Sequence, residues 1–220
     1  MFTPKLLLFL AAGTLFMFVP VLIQSRWYDV KWYKALLLTV ILTVAGTLST
    51  MIHCFVEVGE FSGISFYGAV FYVPVMFLLV AKVLRLPYGT AMDLCAPAEC
   101  AMLVIMKVHC LISGCCGGRV MCVAGNTFVF PSQYVEMANA VILMLILLLM
   151  SRKGKNRGRL YPWYMVLYGC SRFVLNMFRE TKIFALGMSA GCFWSVWSVL
   201  LGTAVLVLWR RKKKQEASNS

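Results

Sequence analysis

Three features of this 220-residue chain predict an all-α polytopic integral membrane protein with seven transmembrane helices. Hydrophobic residues make up 61% of it, too many for a soluble domain to cover with polar surface. Its apolar residues fall into seven stretches, each long enough for the roughly 20 residues a bilayer requires. Basic residues gather in alternate connections between those stretches.

The predicted spans are 4–24, 34–55, 65–84, 88–113, 132–150, 159–179 and 189–209. Helices are the expected form, because backbone groups in lipid must be paired within the segment or around a closed barrel. Met144–Met150 is apolar on every side and lacks the alternation of a barrel strand. The first stretch is long for a signal peptide and has no small-x-small site after it, so it is read as a retained helix. Together the spans form one membrane domain over 1–209, followed by a basic cytoplasmic tail over 210–220 that is expected to be unstructured after its charge run.

Charge sets the expected orientation. Of 21 Lys and Arg, 15 fall on one side: Arg26, Lys31 and Lys34, then Lys82 and Arg85, then five over 152–159 and five over 210–214. The opposite connections carry only Lys5, Arg119, Arg179 and Lys182. The positive-inside rule then places the N-terminus outside and the C-terminus in the cytoplasm. The net charge of +13 is thereby assigned to anionic lipid head groups rather than to nucleic acid.

With this orientation the chemically capable residues converge on the outer half of the membrane. They are His53, Tyr67, Lys107, His109, Arg119, Gln133, Glu136, Arg172, Asn176 and Arg179. Ionisable groups inside a span cost several kcal/mol and are functional candidates for that reason. On the sixth helix Tyr168, Arg172, Asn176 and Arg179 follow i, i+4, i+8, i+11 spacing and share one face. Helical rise places Arg172 about 10 Å from Arg179, a pair suited to a phosphate at head-group depth. The alternative is that Arg179 snorkels and Arg172 pairs with Glu136 or Glu99. Asp93 is expected at the inner end, solvated or paired with Lys82 or Arg85.

The run His109–Arg119 adds histidine, thiols and glycines at the same face. Cys110, Cys115, Cys116 and Cys122 lack the spacing of a standard zinc site, so neither metal nor cofactor is expected, while a disulfide among the four stays open.

The ordered motifs resemble the prolipoprotein diacylglyceryl transferase family over about residues 59–182. Gly63-Ile-Ser-Phe-Tyr-Gly68 resembles its Gly-x-Ser-Phe-His-Gly segment, and Asp93 with Ala96-Pro97 its Asp-x-x-Ala-Pro helix. Gly114-Cys-Cys-Gly-Gly-Arg119 is similar to a variant of its glycine-rich signature. Phe130–Glu136 resembles its Pro-x-Gln-x-x-Glu block, and Tyr168-Gly-Cys-Ser-Arg-Phe173 with Arg179 its last motif.

The resemblance implies an enzyme of the bacterial cytoplasmic membrane. Such an enzyme moves the diacylglyceryl group of phosphatidylglycerol to the lipobox cysteine of a prolipoprotein, and glycerol phosphate leaves. It implies that Arg172, Arg179, Arg119, Lys107, Gln133, Glu136 and Asn176 hold the lipid phosphate and substrates, with His109, Tyr67 and Tyr168 as the catalytic candidates. Here Tyr67 stands for the family's histidine, Lys107 for an arginine, Cys110 for an asparagine and Asn176 for a glutamate. An unperturbed phenol titrates near pH 10, so the thiol-activating base is expected to be His109, with His53 as the other imidazole. Two further readings stay open: a non-catalytic lipid- or peptide-binding relative, and a small transporter using Asp93 and Glu99.

Overall fold

The computed structural model describes residues 4–61, 63–115, 117–123, 126–154, 156–179 and 183–218. Each apolar stretch becomes a helix: α1 (Pro4–Trp27), α2 (Trp32–Val58), α3 (Tyr67–Leu84), α4 (Tyr88–Ile112), α5 (Ser132–Arg152), α6 (Leu160–Asn176) and α7 (Ala190–Ser218). Six of them are long and apolar enough to cross a membrane, while α6 has 17 residues and falls short of that length. Two antiparallel hairpins interrupt the expected all-α order: β1 (Val120–Val123) with β2 (Asn126–Val129), and β3 (Ile183–Ala185) with β4 (Met188–Ser189). Helical backbone continues through the basic run to Ser218, where an unstructured tail was expected.

The hairpins explain why α6 stops early. The Arg119 amide donates to the Phe178 carbonyl at 2.9 Å, and Gly118 pairs with Arg179 in a β-bridge. A side chain on Gly118 would lie 1.9 Å from the Phe130 carbonyl oxygen, so only glycine admits this crossing. Residues 177–179 leave the helix by i−3 turns, with the Arg179 amide donating to Asn176 at 3.3 Å. Arg179 therefore reaches the site from a turn and not from the helical stripe.

Packing centres on α4, which is flanked by α1 and α5 and also touches α2, α3 and α6. Its Ala91, Cys95, Ala96, Ala98 and Ala101 are fully buried, and their small size lets neighbouring helices approach. Gly68 serves the same end between α2 and α3, where a Cβ would strike the Ser49 carbonyl oxygen at 2.1 Å.

At one end of the bundle Asp93 is wholly buried. It accepts the Tyr28 hydroxyl at 2.8 Å, the Gly158 amide at 2.5 Å and the Leu160 amide at 2.8 Å. Neither Lys82 nor Arg85, its expected partners, takes part. Burial raises the Tyr28 phenol above its ordinary value, so it remains a donor to the carboxylate. Gln24 joins the clasp by donating to the Asp93 carbonyl at 3.2 Å and to Ser151 Oγ at 3.0 Å. The Arg157 guanidinium bonds the Trp27 carbonyl and lies 4.9 Å from the Tyr28 ring. The hairpins lie at the other end, which carries the site.

Candidate active site

Three cations from two sides of the bundle meet one carboxylate. Glu136, one turn into α5 and nearly fully buried, forms ion pairs with Lys107 of α4 and Arg172 of α6. Arg179 Nε lies 3.6 Å from the other oxygen of the same carboxylate. The two arginines thus converge on Glu136, where the sequence suggested a ladder with one about 10 Å above the other. Of the two partners expected for Arg172, Glu136 is the one found.

Burying these groups is costly unless charges are paired, and three cations against one carboxylate leave an excess of two positive charges. Beside them is a cavity of about 260 Å³. Lys107, Arg172, Asn176, Arg179, Tyr67 and Tyr168 line it, with Glu57 and Cys110. Among the described residues Asn176 Nδ2 is a buried donor without a hydrogen-bond partner, and Arg179 Nε has only its 3.6 Å ion pair with Glu136. Buried donors left unsatisfied are uncommon, and they leave the cavity equipped for an anionic oxygen ligand.

Each lining side chain has a local reason for its position. Leu103, Lys107 and Cys110 are spaced i, i+4, i+7 and form one face of α4. Asn176 fits against α7 only because residue 191 is glycine, where a Cβ would lie 1.8 Å from Asn176 Nδ2. Tyr67 is buried at the start of α3 and shares a 2.5 Å hydrogen bond with Ser195 Oγ of α7. Its ring lies 5.6 Å from that of Tyr168.

Other predicted residues sit elsewhere. His109 does not line this cavity; its ring meets Phe9 of α1 edge-on at 5.1 Å. The reason is helical geometry, since two residues turn the side chain by about 200° and Lys107 already faces the site. Gln133 also lies outside it and donates to the Cys115 carbonyl at 2.8 Å, fastening the glycine-rich turn to α5. Arg119 is exposed and lines a separate groove of about 640 Å³ with Asn176 and Arg179. Cys116 lies outside the described residues, and the open disulfide with it.

Glu99 is buried, and its Oε1 accepts the Tyr161 hydroxyl at 3.0 Å, so it is a partner of α6 but not of Arg172. It lines a small apolar cavity of about 50 Å³ between α1, α2 and α4. That cavity shares Ile64, Phe66 and Met106 with the charged one, so an apolar space adjoins the cationic cluster. Glu57, Ser195 and Gly191 escaped the sequence reading. Only Glu57 left a trace there, four residues after His53 on one helix face.

A model of the family described as prolipoprotein diacylglyceryl transferase matches residues 10–208. A phosphatidylglycerol–prolipoprotein diacylglyceryl transferase of Geobacter sulfurreducens is 30% identical over 165 residues, covering 69% of this chain and 63% of that protein. Proteins of the same name from Paracidovorax citrulli and Clostridium tetani are 28% and 24% identical. These matches cover 69% and 70% of this chain, and 62% and 67% of the relatives. The chain therefore spans a little under two thirds of the first two relatives.

Proposed function

The chain belongs to the prolipoprotein diacylglyceryl transferase family, and from that premise we propose that it transfers a diacylglyceryl group from phosphatidylglycerol to the lipobox cysteine of a prolipoprotein. The single observation that carries this reading is the cluster of Lys107, Arg172 and Arg179 around Glu136, beside a cavity that adjoins apolar space. A phospholipid has the same two parts, an anionic phosphate and apolar chains.

In this reading the phosphate lies against Arg172 and Arg179, which offer guanidinium forks that stay charged when desolvated. Asn176 Nδ2 adds a neutral donor. The leaving glycerol phosphate gains negative charge as the carbon–oxygen bond breaks, and preorganised cations in a water-poor site stabilise that charge. Glu136 holds the cations in place before lipid arrives and prevents their mutual repulsion from opening the bundle. On this reading the acyl chains leave the charged cavity past Phe66 and Met106 for the bilayer.

In this reading the Asp93 end faces the cytoplasm of a bacterial cell, the site lies at the outer face and the chain crosses seven times; the basic connections at the Asp93 end support that orientation. The test is transfer of labelled diacylglyceryl from phosphatidylglycerol to a lipobox peptide by the purified chain in lipid nanodiscs. Thioether-linked product supports the reading. Phosphatidylglycerol binding without transfer would instead indicate a non-catalytic relative, and no binding would remove both.

A further inference from the structure

The partners of Tyr67 fix where its hydroxyl hydrogen goes. Ser195 Oγ donates to the Gly191 carbonyl at 2.6 Å, one turn back along α7. A serine has a single hydrogen to give. Across the 2.5 Å contact between the two hydroxyls, Tyr67 is therefore the donor and Ser195 the acceptor. Packing holds the ring in this pose: it is almost fully buried, stacks on Phe71 at 5.8 Å and lies 5.6 Å from the Tyr168 ring. With its hydrogen committed to Ser195, the phenol offers the charged cavity lone pairs and no donor.

Donors and acceptors thus enter this cavity from different elements. Lys107, Arg172 and Arg179 bring cationic donors from α4, α6 and the turn after it, while Glu57 of α2 and Tyr67 of α3 bring acceptors. An ionised carboxylate has about four lone-pair sites, so the 3.5 Å contact of Glu57 Oε1 with His53 Nε2 leaves acceptor capacity for a ligand. A phosphodiester is all acceptor; it satisfies the cations and cannot use Glu57 or Tyr67. Those two require a donor elsewhere on the same ligand. Charge narrows what that donor can be. Lys107, Arg172 and Arg179 set against Glu136 and Glu57 leave one positive charge, which one phosphodiester neutralises. A neutral donor keeps that balance, and a cationic one undoes it.

We propose that Glu57 and Tyr67 accept the hydroxyl groups of the lipid's glycerol head group, with Ser195 as the positioning residue that keeps the Tyr67 lone pairs free for them. The assignment rests on the phosphatidylglycerol reading of the preceding section and adds what separates that lipid from others with the same phosphodiester. One head-group hydroxyl donates to the Glu57 carboxylate and the other to Tyr67 Oη, while the phosphate lies against Arg172 and Arg179. A lipid without hydroxyls leaves both buried acceptors unpaired, and a site built around such bonds rejects the analogue for that reason. Glycerol phosphate is the part that departs, so these contacts hold the leaving group and not the transferred diacylglyceryl.

The test is displacement of labelled phosphatidylglycerol from the full chain in detergent. The competitors are phosphatidylglycerol, phosphatidylpropanol, which is the same lipid without its two hydroxyls, and phosphatidylethanolamine, whose donor is a cation. Phosphatidylglycerol is expected to compete at least about tenfold better than either, the size of a hydrogen bond to a charged group. Its advantage over phosphatidylpropanol is expected to fall about tenfold in Glu57→Ala and about threefold in Tyr67→Phe, as one charged and one neutral acceptor are lost. Ser195→Ala is expected to match Tyr67→Phe, and Ser195→Thr, which keeps the hydroxyl, to retain the wild-type preference. Arg172→Lys is expected to weaken all three lipids together, because it touches the shared phosphate. Equal competition by phosphatidylglycerol and phosphatidylpropanol would overturn the head-group assignment alone, and phosphatidylethanolamine matching phosphatidylglycerol would overturn the neutral donor. An unchanged preference in a folded Glu57→Ala, Tyr67→Phe or Ser195→Ala protein would remove that residue from it. A wild-type chain that binds no labelled phosphatidylglycerol overturns the lipid reading and this assignment with it.

Discussion

Asp93 of α4 caps α6 from outside the helix, accepting the Leu160 amide on one carboxylate oxygen at 2.8 Å. Its other oxygen takes Gly158 and Tyr28, so one side chain fastens three segments at the end remote from the site. The first-turn amides of a helix have no partners within it, and a carboxylate there also suits the helix dipole. Asp93→Asn keeps the shape but loses one acceptor and the charge. The expected loss is about 1–3 kcal/mol, read as a lower unfolding temperature in detergent. Tyr28→Phe, which removes one of the three donors, should cost about 1 kcal/mol.

Arg172→Lys should reduce transfer by about 100-fold, because a single ammonium cannot hold both Glu136 and a phosphate in fork geometry. Arg152→Lys, at the far end of α5, should stay within about twofold of wild type, the ordinary range for a surface substitution. Steady-state transfer assays on both variants check the contrast, and equal mild effects would make Arg172 a structural partner of Glu136.

Gly191→Ala should force Asn176 out of its seat, since the new Cβ would lie 1.8 Å from Nδ2. Overpacking of this kind typically costs about 1–3 kcal/mol. Adding Asn176→Ala should return the stability and not the lipid affinity, because the clash is relieved while the donor is gone. Unfolding temperature and phosphatidylglycerol binding of the single and double variants separate the two effects.

His109→Gln should retain transfer within about threefold, since this ring faces Phe9 and not the charged cavity. This reverses the expectation from sequence. Loss of product in a folded His109→Gln protein would show that α4 rotates during turnover.

Orientation is tested by labelling. Cys122 is exposed at the site end, so an impermeant maleimide added outside whole cells should modify it. A cysteine placed at Arg157, in the connection at the Asp93 end, should react only after permeabilisation. Labelling at Arg157 from outside would invert the topology.

The sequence by itself determined the helices, because bilayer thickness fixes how long an apolar run must be and water claims the charged connections. It also determined that Tyr168, Arg172 and Asn176 share a face, since 3.6-residue periodicity is a property of one helix. The two-residue offset of His109 from Lys107, which turns its ring to another face of α4, was legible too, although the sequence reading made His109 the expected base. Which neighbour each face meets is a different kind of fact. Glu136 could have been a ligand of substrate; only the packing of α4, α5 and α6 made it the shared partner of three cations. The early end of α6 and the seat of Asn176 likewise depended on distant backbone, at Arg119 and Gly191. Periodicity orients a side chain about its own axis, but interhelical packing sets how each axis is rotated against the next.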